Sequence, residues 1–294
     1  MDTAVDSLPA QFRDWFASHG WTPRAHQLEL LALAARCKSA LLIAPTGAGK
    51  TLAGFLPSLT ALTRSPRSGN RGIHTLYVSP LKALAVDIER NLTRPIEEMR
   101  LDVTLETRTG DTPAHKRMRQ KLQPPDILLT TPEQIALLLA SREAERFFAD
   151  LQYVIFDELH KLVSSKRGHL LSLGLARLRR HAPALQTIGL SATVSDPDAL
   201  CRWLVPQGDG PAQAELVEVK GGAKPEITIL ESEAHIPWSG HSARYAMPEI
   251  YQAIAGHRTS LLFVNTRSQA ELLFQELWRI NELSLPIALH HGSL

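Results

Sequence analysis

Five short apolar runs, each followed within a few residues by a helical pattern, limit what this chain can fold into. They are LLIA at 41–44, TLYVS at 75–79, DILLT at 126–130, YVIFD at 153–157 and TIGLS at 187–191. A strand with one face in water alternates apolar and polar residues, whereas a strand covered on both faces is apolar almost throughout. Helices between such strands serve as crossovers, so the expected fold is α/β, a parallel sheet with helices on both faces. An opening helix is expected near Leu8–Ser18, stopped at Gly20, and a second after Pro23 with Leu28, Leu31 and Ala35 on one face. A hydrophobic content of 44% is enough for a sizeable core. The net charge of +2 singles out no partner, because nucleic acids bind local patches rather than totals.

The apolar runs are strand-sized, well short of the ~20 residues of a membrane span. The opening MDTAVDSLPAQFRDWF lacks a basic segment followed by an apolar one, and the two cysteines, Cys37 and Cys201, lie far apart. A cytoplasmic protein with no membrane partner is expected. After Val205 the composition changes. PQGDGPAQ reads as a linker, so residues 1–205 are expected to form one nucleotide-binding domain. Residues 206–240 would be a linker with short strands, LVEVK at 216–220 and ITILE at 227–231, around the turn GGAKPE. Residues 241–294 would start a second α/β domain. It would have a helix to about Gly256, a strand SLLFV at 260–264, a helix from Arg267 to about Leu283 and a strand PIALH at 286–290. Two strand–helix units are too few for a complete doubly wound sheet, so this domain is expected to be truncated.

The sharpest motif is LLIAPTGAGKT at 41–51. A strand runs into a glycine-containing loop, and a helix opens at about Gly49. Backbone N–H groups from Thr46 to Thr51, through Gly47, Ala48, Gly49 and Lys50, would point at phosphate oxygens, and the helix N-terminus favours negative charge. Lys50 would reach the β- and γ-phosphates of ATP, and the Thr51 hydroxyl would ligate Mg²⁺. Ala44 stands where the G-x-x-x-x-G-K-[ST] pattern has its first glycine. The second motif, YVIFDELH at 153–160, ends a buried strand in two carboxylates. Open α/β sheets bind ligands at strand C-terminal ends, so Asp157 would hold Mg²⁺ beside the phosphate loop. Glu158 would orient and deprotonate the attacking water.

Asp-Glu-Leu-His resembles the DExH box of superfamily 2 helicases, in which alanine often replaces the first glycine of the phosphate loop. Other family motifs follow in order. WTPRAHQ at 21–27 is similar to the Q-motif, which implies that Gln27 reads the adenine edge. SPLKALA at 79–85, TRTGD at 107–111 and TTPEQ at 130–134 look like the motifs of the nucleic-acid track. SAT at 191–193 looks like motif III, which implies that His160, Ser191 and Thr193 couple the nucleotide to the track. FVNTRSQAE at 263–271 looks like motif IV. The strings HTLYVSPLKALAVDIERNL, SKRGHLLSLGLARL, IPWSGH and LPIALHHGSL resemble the large helicase-related (Lhr) group, and within it the ligase-associated DEXH-box helicases. The resemblance implies two RecA-like domains, the second one begun here. It further implies an ATP-dependent 3′→5′ DNA helicase or translocase in DNA repair, beside an ATP-dependent ligase and a nuclease, and places later arginine-bearing motifs beyond Leu294.

A motor indifferent to sequence must grip phosphates rather than base edges. The resemblance places Lys82, Arg108, Thr109, Thr131, Thr266 and Arg267 on that track. The basic run HKRMRQK at 115–121 reads as a solvated helix face, and Arg177, Arg179 and Arg180 read as last-turn charges complementing a helix dipole. Adjacent His290 and His291 on a strand would face opposite ways and cannot share a metal. Trp238 reads as packing. Two alternatives stay open, an ATP-gated nucleic-acid clamp and a helicase on RNA or RNA–DNA hybrids. A small-metabolite kinase fits poorly with a separation of 107 positions from Lys50 to Asp157 and Ser-Ala-Thr downstream.

Overall fold

The computed structural model describes residues 8–65, 71–192, 194–208, 210, 212–219, 221, 226–230 and 243–290. Thr193, Trp238 and His291 lie outside them. The chain divides into two compact units, Met1–Gly222 and Ala223–Leu294.

The first unit is built on a seven-stranded sheet, entirely parallel, in the order β3-β4-β2-β5-β6-β1-β7. The strands are β1 (Ala40–Ile43), β2 (Thr75–Val78), β3 (Leu105–Arg108), β4 (Ile127–Thr130), β5 (Tyr153–Phe156), β6 (Gln186–Ser191) and β7 (Glu215–Glu218). Its helices are α1 (Ala10–Ser18), α2 (Ala25–Ala35), α3 (Lys50–Arg64), α4 (Lys82–Glu98), α5 (Ala114–Leu122) and α6 (Pro132–Leu139). They continue with α7 (Ala144–Phe148), α8 (Leu159–Val163), α9 (Lys166–His181) and α10 (Pro197–Leu204).

The continuous apolar strands are explained by two cores, one on each face. Because side chains alternate, Leu42, Tyr77, Leu129, Ile155 and Leu190 join residues of α1–α4 in one cluster. Leu41, Ile43, Leu76, Val78, Leu128, Val154 and Phe156 join α6–α10 in the other. Every residue of β1, β2, β4 and β5 is buried. The edge strands are the least buried. β3, which carries no apolar run and was not anticipated, has half-buried Leu105 and Glu106. In β7 only Val217 is buried.

Because β7 pairs in register with β1, it belongs to the first unit's sheet. The expected boundary after Val205 therefore moves to Gly222. The second expected linker strand is absent among residues 227–230, where Ile227 and Ile229 are exposed.

The second unit contains a 3₁₀ turn (Ala243–Ala246), α11 (Met247–Ala255) and α12 (Arg267–Arg279). Tyr251 joins them, its hydroxyl donating to Asn281 Oδ1 at 3.0 Å. The expected strands at 260–264 and 286–290 pair with nothing among the described residues. Leu261 and Phe263 are 80% and 86% exposed. A parallel strand needs hydrogen-bonded neighbours on its edges, and the described residues of this unit supply none.

Candidate functional site

The strand order sets β6 between β1 and β5, so the loops that follow these three strands open side by side at the sheet's C-terminal edge. Ala44 N–H, just past β1, donates to Ser191 O at 3.1 Å. Gly47 and Gly49 both have positive φ, 79° and 74°, a conformation that side chains with a Cβ rarely adopt. Gly49 then opens the 15-residue α3 in that left-handed conformation. Lys50 Nζ donates to Ala44 O at 2.7 Å and Pro45 O at 3.1 Å, which folds the amine over the loop it follows. Thr51 sits in the first turn of α3.

The start of α2 braces this loop. Arg24 Nη1 donates to Gly47 O at 3.0 Å. His26 Nε2 donates to Ala48 O at 2.9 Å, and burial, more than any charge, lowers its pKa. Gln27, only 3% exposed, accepts Arg24 N–H on Oε1 at 2.9 Å. Its Nε2 lies 3.2 Å from where a Cβ on Gly49 would be. Gln27 therefore sits against the phosphate loop, with its carbonyl oxygen engaged in closing the first turn of α2. The bracing by Arg24 and His26 was not anticipated, because a contact 22 or 23 residues away leaves no local signal.

Asp157 emerges at the end of β5, beside Lys50, whose charge acts on it. Its Oδ2 accepts the Tyr77 hydroxyl at 2.5 Å and its Oδ1 accepts Glu158 N–H at 3.0 Å. Burial raises the Asp157 pKa and outweighs these hydrogen bonds, with the Glu158 charge acting in the same direction as burial. Burial also raises the Tyr77 pKa, with Asp157 adding to it. Glu158 caps α8 with φ 47° and ψ 44°, a left-handed conformation that is strained for a residue with a Cβ. Its Oε2 meets Lys161 Nζ at 2.8 Å and His160 Nε2 at 3.4 Å. The other ring nitrogen, His160 Nδ1, is 2.7 Å from Ser191 Oγ. With Nε2–H turned to the carboxylate, the serine hydroxyl donates to Nδ1. The fold thus brings together Lys50, Asp157, Glu158, His160 and Ser191 from three separate loops.

The track residues divide. Lys82 is exposed at the start of α4, its Nζ 2.9 Å from Asp111 Oδ1. Arg108 is corrected from a surface contact to a buried residue, 4% exposed. It ends β3 with its side chain under α5, where Nη1 donates to Arg117 O at 3.0 Å and burial lowers its pKa. Thr109 and Thr131 are buried at loop starts. Thr109 Oγ1 accepts from Asp111 N–H at 3.3 Å. Thr131 occupies the N-cap position of α6 without a side-chain capping bond. In the second unit Thr266 caps α12, accepting from Gln269 N–H at 3.2 Å, and Arg267 opens that helix.

The basic run on α5 forms surface ion pairs, Arg119–Glu106 at 2.6 Å and Lys121–Glu143 at 3.3 Å. Arg177 and Arg179 bind the carbonyls of Leu139 and Leu204, at the ends of other helices, rather than complementing their own helix.

A parallel sheet whose C-terminal edge carries a phosphate loop and an acidic pair defines a P-loop NTPase domain of RecA-like fold. The sequence profile of the DEAD/DEAH box helicases matches residues 24–200, and the chain belongs to that family. The Lhr helicase/uracil glycosylase of Escherichia coli K12 is 37% identical over 92% of this chain and 19% of its own length. The ATP-dependent helicase Lhr-Core of Methanothermobacter thermautotrophicus is 36% identical over 88% of this chain and 32% of its own. The solved structure of Mycobacterium smegmatis helicase Lhr bound to ssDNA and AMP-PNP superposes with a TM-score of 0.82 at 33% identity, covering 99% of this chain and 39% of that one. The chain therefore spans well under half the length of these relatives.

Proposed function

We propose that this chain carries the nucleotide-binding part of an Lhr-type, ATP-dependent DNA helicase that moves 3′→5′ on a single strand. The observation that carries this reading is the convergence of Lys50, Asp157, Glu158 and the His160–Ser191 pair at one sheet edge. The likeness to a helicase bound to ssDNA and AMP-PNP supports the same reading.

The residues divide the work. Backbone N–H groups of Thr46–Lys50 and the Lys50 amine bind the phosphates of ATP, and Gln27 orients the base end. Mg²⁺ fits here. Asp157 is a half-buried carboxylate whose charge is poorly compensated, and Mg²⁺ typically takes one or two protein oxygens plus phosphates. Thr51 and Asp157 would hold it, and it would neutralise charge developing on the phosphates. Glu158, held by Lys161, takes a proton from the attacking water. His160 and Ser191 relay the state of Glu158 to β6. Lys82 contacts the nucleic-acid backbone through its exposed amine, and the loops that start at the buried Thr109 and Thr131 do so through their main chain. Thr266 and Arg267 of the second unit, taken by themselves, are further phosphate contacts. Arg108 supports that surface from beneath.

Among the described residues no helix is long and apolar enough to cross a membrane. The working site is the cytoplasm, in DNA repair beside an ATP-dependent ligase and a nuclease. The test is strand displacement by the full-length protein on duplexes with a 3′ or 5′ single-stranded tail of DNA or RNA, in ATP or AMP-PNP. ATP-dependent displacement on the 3′-tailed DNA is expected. ATP-dependent binding without displacement would replace the reading with a clamp, and preference for RNA tails would replace the substrate.

A further inference from the structure

The first turn of α9 carries an arginine, Arg167, to which no role has been given above. Arg167 Nε and Nη2 donate to the two carboxylate oxygens of Glu133 at 2.5 and 3.0 Å. Its remaining arm, Nη1, donates to Pro80 O at 2.6 Å. One planar guanidinium thereby joins the first turn of α6, two residues past Thr131, to the β2–α4 loop, two residues before Lys82. These are two of the three loops of this unit assigned above to the nucleic-acid backbone. Around Glu133, burial works upward on the carboxyl pKa but is outweighed by the Arg167 bond, a backbone N–H and the Thr131 hydroxyl, and the net direction is down.

The other side of Arg167 is anchored as firmly. A Cβ on neighbouring Gly168 would lie 2.3 Å from Leu162 O and 2.7 Å from Val163 O, so α9 starts jammed against the end of α8. Ser165 Oγ donates to Leu162 O at 2.8 Å and accepts Gly168 N–H at 3.2 Å, closing that junction. The arginine is therefore mounted on the helix pair that begins at Glu158. The side chains of Arg167 and Glu133 are 40% and 47% exposed, too wet for their pairing to matter much to stability. What a three-way fork provides at such a place is geometry, which a lysine cannot reproduce.

We infer that Arg167 is a positioning residue that holds two of the nucleic-acid loops, those at Lys82 and Thr131, in fixed register and mounts them on the α8–α9 junction. The inference rests on the helicase reading. It is tested in the full-length protein with Arg167→Ala, Arg167→Lys, Glu133→Gln and the Arg167→Ala/Glu133→Gln double variant. ATP turnover is followed against concentration of a single-stranded oligodeoxythymidylate, together with half-saturation by ATP and the melting temperature. In Arg167→Ala and Glu133→Gln the half-stimulating DNA concentration should rise about tenfold. Half-saturation by ATP should move less than about twofold, and melting by no more than a few degrees, as for an exposed ion pair. The lysine variant should not restore the parent value, and the double variant should be no worse than either single one.

An unchanged half-stimulating concentration in both single variants overturns the inference, as does full rescue by lysine or an additive double variant. Melting losses that track the DNA effect across all four variants do the same, since they mark a merely structural role. A parent protein whose turnover no single-stranded nucleic acid stimulates removes the helicase reading and this inference with it. A stimulated parent with unaffected variants removes only the inference.

Discussion

Asp157→Asn should make the protein more stable and inactive at once. In the fold the carboxyl holds its proton to higher pH than in the unfolded chain, because burial raises its pKa beyond what the Tyr77 and Glu158 hydrogen bonds can offset. Between the unfolded and folded values the folded state binds more protons, so stability falls as pH rises through that window. The loss is complete above the folded value, where the ionised side chain is a net liability.

Asparagine removes the charge and keeps both contacts. Its Oδ1 can accept Glu158 N–H, and its Nδ2 can donate to the Tyr77 oxygen, which changes from donor to acceptor and gives up its donated bond, offsetting part of the gain. Removing an imperfectly compensated buried polar charge is worth on the order of 1 kcal/mol. For a unit the size of Met1–Gly222 that is about 2–4 °C in melting temperature. Melting of variant and parent across pH should show a gain that is largest at the alkaline end of the range and shrinks toward acid as the parent's carboxyl is protonated. Mg²⁺-dependent ATP turnover should be abolished. A variant that melts lower than the parent at the alkaline end, or a gain that grows toward acid, would refute the argument.

Other substitutions separate the remaining roles. Lys50→Ala should weaken ATP binding measured by calorimetry, and equal affinity would remove Lys50 from the phosphate site. Glu158→Gln should leave ATP binding intact while turnover falls by about 100-fold or more, the scale of general acid–base assistance. Gly168→Ala puts a methyl 2.3 Å from a backbone oxygen. It should lower stability by about 1–3 kcal/mol, as overpacking does, and a denaturation midpoint equal to the parent's would contradict that close approach.

Much of this molecule could be read from residues close together in the chain. The phosphate loop is legible because strand, glycines, lysine and helix start fall within LLIAPTGAGKT, and the acidic pair because it ends a buried run. The parallel sheet is legible because five runs are too apolar for a surface strand. The edge strands were harder. β3 carries Glu106, Thr107 and Arg108, since an edge needs only one covered side, and β7 looked like linker until its pairing with β1 drew it into the first unit.

Only the tertiary structure decided which loops meet. The five apolar runs are nearly alike in composition, so nothing in them encodes that β6 lies between β1 and β5. That order is what sets Ser191 against His160 and opens the phosphate loop beside the acidic pair. Tyr77 reaches Asp157 across 80 residues, and Arg167 reaches Pro80 across 87. Arg108 turns inward because its place on β3 lies beneath α5, although its sequence neighbours read as a surface loop. Spacing along a chain specifies what a single element can do, whereas the partners of a side chain depend on how elements pack, and packing is a property of the whole sheet.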